Sequence, residues 1–215
     1  QFVTALKQFL YGRVGIDMTA GPSEVAVIAD DSAEPELVAA DLLAQSEHGD
    51  DSAAIAVATA DSAPSILSAI ERRLADLPQN ACARRSLAAN GAVAIAPTRS
   101  AAIAFVNDLA PEHVSVQTRD AAEIVAALET SGAIYVGRWS PVAIGDYTAG
   151  PNHILPTAGG GRFFSPLGVD DFLKRAHVVS LSRETFATIG SAARLLALRE
   201  GLPLHAESIA AREAR

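Results

Sequence analysis

The chain has 215 residues, 25 acidic and 17 basic side chains and a formal net charge of −8. That balance argues against a surface built for nucleic acid or for anionic lipid. One cysteine, Cys82, excludes an internal disulfide and a cysteine-based metal site; no run approaches the ~20 apolar residues of a membrane span, and the cytoplasm is the natural compartment.

The chain opens at Gln1 rather than Met, as a fragment would. Residues 1–9 read as the end of a helix and Val14–Asp17 as a short extended piece. Ala20-Gly-Pro-Ser23 is a turn signal. Glu24–Ala29 is an almost continuous apolar run, which suits a strand buried on both faces of a parallel sheet. Asp31-Ser-Ala-Glu-Pro35 has the capping residues and proline of a helix start. Apolar positions 37, 38, 42 and 43 give that helix one face, and Gly49 is its expected stop.

Further strands are expected at Ala53–Ala58, Gly91–Ala96, His113–Gln117 and Gly132–Val136. Helices are expected at Ser62–Leu77, Ala101–Leu109 and Ala121–Thr130. In the first of these, Leu67, Ile70, Leu74 and Leu77 form one stripe. This alternation predicts an α/β fold: a parallel, incomplete Rossmann-like sheet with helices on both faces. Ligands on such sheets bind at the carboxyl ends of the strands. From Val142 to Leu167 the pattern breaks into loops rich in Gly, Pro and Thr, a length that is usually functional or disordered. After it come a helical piece at Val169–Arg175, a strand at Val178–Leu181, and helices at Glu184–Glu200 and Ala206–Arg212, giving a mainly helical C-terminal tail.

Histidine is scarce: His48, His113, His153, His177 and His205. Gln45 and His48 are spaced to share a helix face, where they can converge on one ligand or His48 can simply balance the helix dipole. Glu112 and His113 follow Pro111, which bars a regular helix. The pair sits on a loop leading into a strand, and it offers two titratable groups able to act as separate bases or an ordinary exposed Glu-His pair. Asp146, in Gly145-Asp-Tyr-Thr-Ala-Gly-Pro-Asn-His153, suits a metal or substrate loop, or plain turn chemistry. Gly159-Gly-Gly161 lacks the strand and helix context of a phosphate loop and reads as a flexible turn.

Taken together these segments become recognisable. Gly15-Ile-Asp-Met-Thr-Ala-Gly-Pro-Ser-Glu-Val25, Asp41-Leu-Leu-Ala-Gln-Ser-Glu-His-Gly49 and Asn107-Asp-Leu-Ala-Pro-Glu-His113 resemble segments of the histidinol dehydrogenase family. So do Gly145 through Thr157, Phe164 through Arg175, and Glu200-Gly-Leu-Pro-Leu-His205. The resemblance covers essentially the whole chain and keeps the motifs in order.

The resemblance implies an NAD-dependent enzyme that oxidises L-histidinol to L-histidine through bound histidinal, the last steps of histidine biosynthesis. It implies zinc held by Gln45, His48, Asp146 and His205, with His205 reaching the metal of a partner subunit in a homodimer. Ser23, His153 and Glu200 would contact substrate alongside the zinc ligands and His113. His113 would take the alcohol proton in each hydride transfer, and Glu112 would activate the water that adds to the aldehyde. One charged ligand, Asp146, would leave the zinc net positive, able to orient substrate. Manganese is an alternative for such ligands.

The family chain is roughly twice as long. The part upstream holds most of the contacts to NAD, so the cofactor-binding residues of this chain are unknown. The implied organisation is residues 1–23 as the end of an upstream domain or linker, residues 24–167 as the Rossmann-like domain with zinc and catalytic residues, and residues 168–215 as a helical tail swapped between subunits. Two alternatives stand beside this one. One is a sulfopropanediol-type dehydrogenase of the same superfamily; the other is a non-catalytic fragment that binds zinc and dimerises.

Overall fold

The computed structural model describes residues 2–213. It divides into two compact units that meet at Phe172 and Leu173. The larger unit is built on one sheet of five parallel strands. These are β1 (Glu24–Ala29), β2 (Ala53–Ala58), β3 (Gly91–Ile95), β4 (His113–Gln117) and β5 (Ala133–Val136), in the order β3-β2-β1-β4-β5. The α/β, incomplete Rossmann-like reading of the sequence is borne out.

Helices cover both faces because both faces of the central strands are apolar. On one face lie α2 (Pro35–Gln45), α3 (Ala63–Ala75) and α7 (Val142–Tyr147); α1 (Phe2–Leu10) precedes the sheet. Val25, Val27, Ala54 and Ala56 pack there against Val38, Leu42, Ile66 and Val142. On the other face lie α5 (Arg99–Leu109) and α6 (Ala121–Ala127). There Ala26, Ile28, Val114 and Val116 meet Ala102, Val106 and Ile124. Alternation with period two sends neighbouring residues of one strand to opposite faces, so both clusters share β1.

β4 breaks this symmetry. Its register sets His113, Ser115 and Gln117 beside Val25, Val27 and Ala29, on the face of α2. Three polar residues therefore stand where β1 offers three apolar ones. They are buried nonetheless.

Several expected elements differ. A helix, α4 (Cys82–Asn90), lies where none was expected. It is short and arginine-rich, and it is fixed by polar contacts: Arg84 to the Leu77 and Pro78 carbonyls, and Ser86 Oγ to the Ser52 carbonyl at 2.9 Å. Asp146 lies on α7, within the stretch expected to be loop. Residues 14–17 form no strand beyond an isolated bridge between Tyr11 and Val14. α2 stops at Gln45, before Gly49, and α6 stops at Ala127, before Thr130. α5 starts earlier than expected because the Thr98 hydroxyl accepts from the Ala101 amide at 3.1 Å, a side-chain cap.

The stripe expected on α3 holds only in part, with Ile70 packed against the core. Its core face is Ala63, Ile66 and Ala69, while Leu67 is 46 % exposed.

The smaller unit holds α8 (Arg183–Arg199) and α9 (Pro203–Glu213). They are joined by Gly201 at φ 74° and by the Leu202 amide donating to the Ala197 carbonyl, a left-handed glycine stop followed by a proline start. The expected strand at Val178–Leu181 is absent. Val178 and Val179 are exposed, and among the described residues this β-branched run has no neighbouring strand to pair with. No helix among the described residues is long and apolar enough to cross a membrane.

The contrast on α3 sets a stability test. Ile66→Ala should destabilise the larger unit by about 2–5 kcal/mol, whereas Leu67→Ala should cost under about 1 kcal/mol. Urea unfolding of both variants measures the difference, and similar losses would contradict the assigned face.

Candidate functional site

The polar residues gather at the amino ends of β1 and β4, the edge opposite to the one expected for ligands on a parallel sheet. The reason is local. α2 runs antiparallel to the strands it covers, so its last turn returns to their amino ends and brings Gln45 and His48 with it. α5 ends at Ala110, which adopts φ 48°. That left-handed turn is uncommon for a residue with a Cβ, and it directs Pro111, Glu112 and His113 straight into β4.

The carboxylate of Glu112 is held by two donors, both on Oε2. The Ser23 hydroxyl donates at 2.5 Å and the Glu24 amide at 3.2 Å, and His113 Nδ1 lies 3.4 Å away. Gln45 Nε2 donates in turn to Ser23 Oγ at 2.7 Å. The side chains of Gln45, Ser23 and Glu112 thus form one hydrogen-bonded chain. Gln45 is 2 % exposed and Glu112 7 %, so these bonds form away from bulk water, where they are strongest.

His113 is 3 % exposed. Its Nδ1 lies 3.0 Å from the Glu24 carbonyl oxygen. A carbonyl only accepts, so in the neutral ring Nδ1 carries the proton and Nε2 the lone pair. Nε2 is buried without a partner among the described residues, and so is Gln45 Oε1. An unpartnered buried polar atom costs about 1–3 kcal/mol. Two of them beside one carboxylate mark a place prepared for groups that arrive with a ligand.

Beside this chain a cavity of about 250 Å³ opens between α2 and α7. Asp41, Gln45, His48 and Asp146 line it. His48 Nδ1 lies 3.1 Å from the Gln45 carbonyl oxygen, which fixes the ring and leaves Nε2 available. Asp41, Gln45 and His48 follow helical spacing on one face of α2 and its continuation. The sequence reading named Gln45 and His48 but passed over Asp41, though the same spacing selects it.

Asp41 is 8 % exposed. Burial pushes its carboxyl up to about 6, only partly countered by the Ser115 hydroxyl at 3.5 Å. Tyr135, also unnoticed in sequence, stands beside Ser115 in the register. Burial, then the charges of Asp146 and Glu112, raise its phenol. Its ring lies 6.0 Å from that of His113. It also explains Gly145: a Cβ there would run into the tyrosine ring, so only glycine lets α7 approach β5 this closely.

Among the other candidates, His153 makes no contact with this network that the structure shows, and Glu200 and His205 belong to the smaller unit. His153 is exposed on the loop after α7. Glu200, at the end of α8, and His205, on α9, are exposed residues of the smaller unit. Among the described residues no three His, Cys, Asp or Glu side chains form a metal-holding cluster. The cavity offers an amide, an imidazole and carboxylates instead.

Asp41 sets a pH dependence. Its folded pKa of about 6 lies above its ordinary 3.8, so the folded chain holds this proton where the unfolded chain has lost it. Stability should fall as pH rises from about 4 to 6, by roughly 3 kcal/mol from this group. Asp41→Asn should remove that fall. Urea unfolding across this range, with a chelator present, measures both, and an unchanged slope in the variant would refute the assignment.

The comparisons with known proteins bear on this geometry. The family model described as histidinol dehydrogenase matches residues 1–213. Histidinol dehydrogenase of Syntrophotalea carbinolica is 45 % identical over 212 residues, covering 98 % of this chain and 49 % of that protein. That of Zymomonas mobilis is 44 % identical with the same coverage. The crystal structure of histidinol dehydrogenase from Elizabethkingia anophelis superposes with a TM-score of 0.91 at 36 % identity, over all of this chain and 50 % of that one. The chain thus spans about half the length of the relatives it matches.

Proposed function

The chain belongs to the histidinol dehydrogenase family, and we propose that it supplies the metal-binding and proton-transfer half of an enzyme that oxidises L-histidinol to L-histidine with NAD. The observation that carries this reading is the buried, unpartnered Nε2 of His113 beside the anchored carboxylate of Glu112.

In this reading His113 Nε2 accepts the proton of the substrate hydroxyl as the carbinol hydride leaves for NAD. The Glu24 carbonyl stabilises the resulting imidazolium through Nδ1. Glu112 then takes a proton from water as it adds to the aldehyde. Oε1 is the oxygen for this, because the two donors converge on Oε2. As the water adds, the His113 imidazolium returns its proton to the aldehyde oxygen, so the neutral ring accepts the second alcohol proton when the hydrate gives its hydride to a second NAD, and Glu112 releases its proton to solvent. Each oxidation releases one hydride and one proton, and the oxygen of the added water becomes the second carboxylate oxygen.

The donor set fits zinc. Gln45 Oε1 is buried without a partner, His48 has its outer nitrogen fixed, and Asp146 supplies a charge in the same cavity. Such mixed nitrogen and oxygen ligands suit this ion. Zinc, when bound, would supply a positive centre that orients the substrate's amine and imidazole. His205 of a second subunit as the fourth ligand, substrate contacts from Ser23, His153 and Glu200, a homodimer and a cytoplasmic setting complete the proposal.

Calorimetric titration separates these roles. The chain should bind zinc and, in its presence, L-histidinol. Gln45→Ala or His48→Ala should remove both heats. His113→Ala should keep zinc while turnover of the complete enzyme falls by about 10²–10⁴-fold. Zinc binding indifferent to Gln45 and His48, or response to a sulfonated diol in place of histidinol, would overturn the reading.

A further inference from the structure

A second cavity, of about 520 Å³, lies at the other edge of the sheet, away from Glu112 and His113. The carboxyl ends of β1, β2 and β3 form it together with Thr118, just after β4. It spans the boundary of β1 and β4, where the strand order reverses. Doubly wound sheets take their ligands at this switch point, and the volume lies in the ~300–1,000 Å³ range of small-molecule sites. Nothing in the proposed reaction uses it.

Its walls are aliphatic: Ile28, Val57, Ala96, Ala102 and Ile124. Thr118 adds a hydroxyl that is buried without a partner among the described residues. The rim is acidic. Asp30, Asp61 and Asp120 stand there with one cation, Arg99, and that cation is already engaged by Glu123 at 2.6 Å and Asp120 at 3.5 Å.

In nucleotide-binding sheets this place is prepared for phosphate by glycine-rich loops and free amides at helix starts. Here the three strand-to-helix loops, 30–34, 59–62 and 96–98, contain no glycine, and their side chains already accept from some of the nearby amides. Asp30 accepts from the Ser32 amide at 2.8 Å and from the Arg119 amide at 3.0 Å. Thr59 and Ser62 cap each other, amide to hydroxyl, at 3.1 and 3.2 Å. Thr98 accepts from Ala101 at 3.1 Å. An anion would meet the carboxylates of the rim first.

What remains is a slot between aliphatic walls, an uncommitted hydroxyl, and carboxylates able to accept from hydroxyl or ammonium groups. We propose that this cavity binds a planar heterocycle carrying hydroxyl or amino groups and no phosphate, of nucleoside type, at a site separate from the Glu112–His113 pair.

Amide-resolved NMR titration of the chain with adenosine tests this, with AMP as the phosphorylated match. Adenosine should shift the signals of Ala60, Thr98 to Ala102 and Thr118 to Asp120 in a saturable way, and leave Gln45 and His48 unmoved. AMP should bind about tenfold more weakly or worse. Ala60→Trp, at an exposed lining position, should block the slot without disturbing the core. Thr118→Val, which exchanges a hydroxyl for a methyl, should weaken binding without closing the slot. Absence of saturable shifts, AMP binding as tight as adenosine, or shifts that survive Ala60→Trp would each overturn the proposal. These outcomes are independent of zinc and histidinol, whose shifts belong to the cavity of His48 and Asp146.

Discussion

The backbone of Glu24 is the hinge of the structure. Its amide donates to the Glu112 carboxylate and its carbonyl accepts from the His113 ring. One residue at the start of β1 therefore fixes both groups of the proposed acid–base pair. This is possible only because β1 and β4 are hydrogen-bonded neighbours with Val25 beside His113. A slip of one residue in that register would turn His113 to the other face of the sheet and dissolve the pair. The apolar alternation of β1 and β4, which buries both faces, is what holds the register. The chemistry of the site thus rests on packing at some distance from it.

That dependence continues along β4. His113, Ser115 and Gln117 face α2 in a row, and the row is closed by Asp41 at Ser115, by Ser115 at Gln117, and by Gln117 at the Gly137 carbonyl. Buried polar groups need partners, and along this row Asp41, Ser115 and Gln117 each supply the next. At the site, His113 Nε2 and Gln45 Oε1 are left without partners among the described residues. Two of the four buried unpartnered atoms among the described residues thus border the Glu112 network, while Thr118 Oγ1 and Ser131 Oγ lie elsewhere.

The sheet was legible in sequence because buried parallel strands are short apolar runs between turn residues, and every strand expected in the larger unit is present. α4 was not legible, because Cys82–Asn90 has no clear apolar stripe and is tied down through arginine and serine contacts. α7 was hidden by its glycine and preceding proline, and Gly145 makes sense only once Tyr135 is seen across from it. Val178–Leu181 failed in the opposite sense: β-branched residues favour extension, but a strand also needs a neighbour. In the site, the spacing of Gln45 and His48 and the Glu112-His113 pair could be read directly. The role of Glu24 could not, since it is played by backbone atoms that any residue possesses. The general rule for ligand position pointed to the wrong edge for this pair, because it presumes a binding loop at the carboxyl ends.

Electrostatics explain why the two edges differ. Every helix that covers a parallel sheet ends over the strands' amino edge, with its unpaired carbonyls and the negative pole of its dipole there. At the end of α2 that pole is joined by Asp146 and Glu112. An amino-edge site of this kind favours a cation and an amine, and it is poorly suited to phosphate. The carboxyl edge has the positive poles, which would ordinarily favour phosphate, but Asp30, Asp61 and Asp120 stand at its rim, and Asp30, Thr59, Ser62 and Thr98 accept from some of its amides. A chain with net charge −8 has thus made both edges of its sheet unfavourable to phosphate.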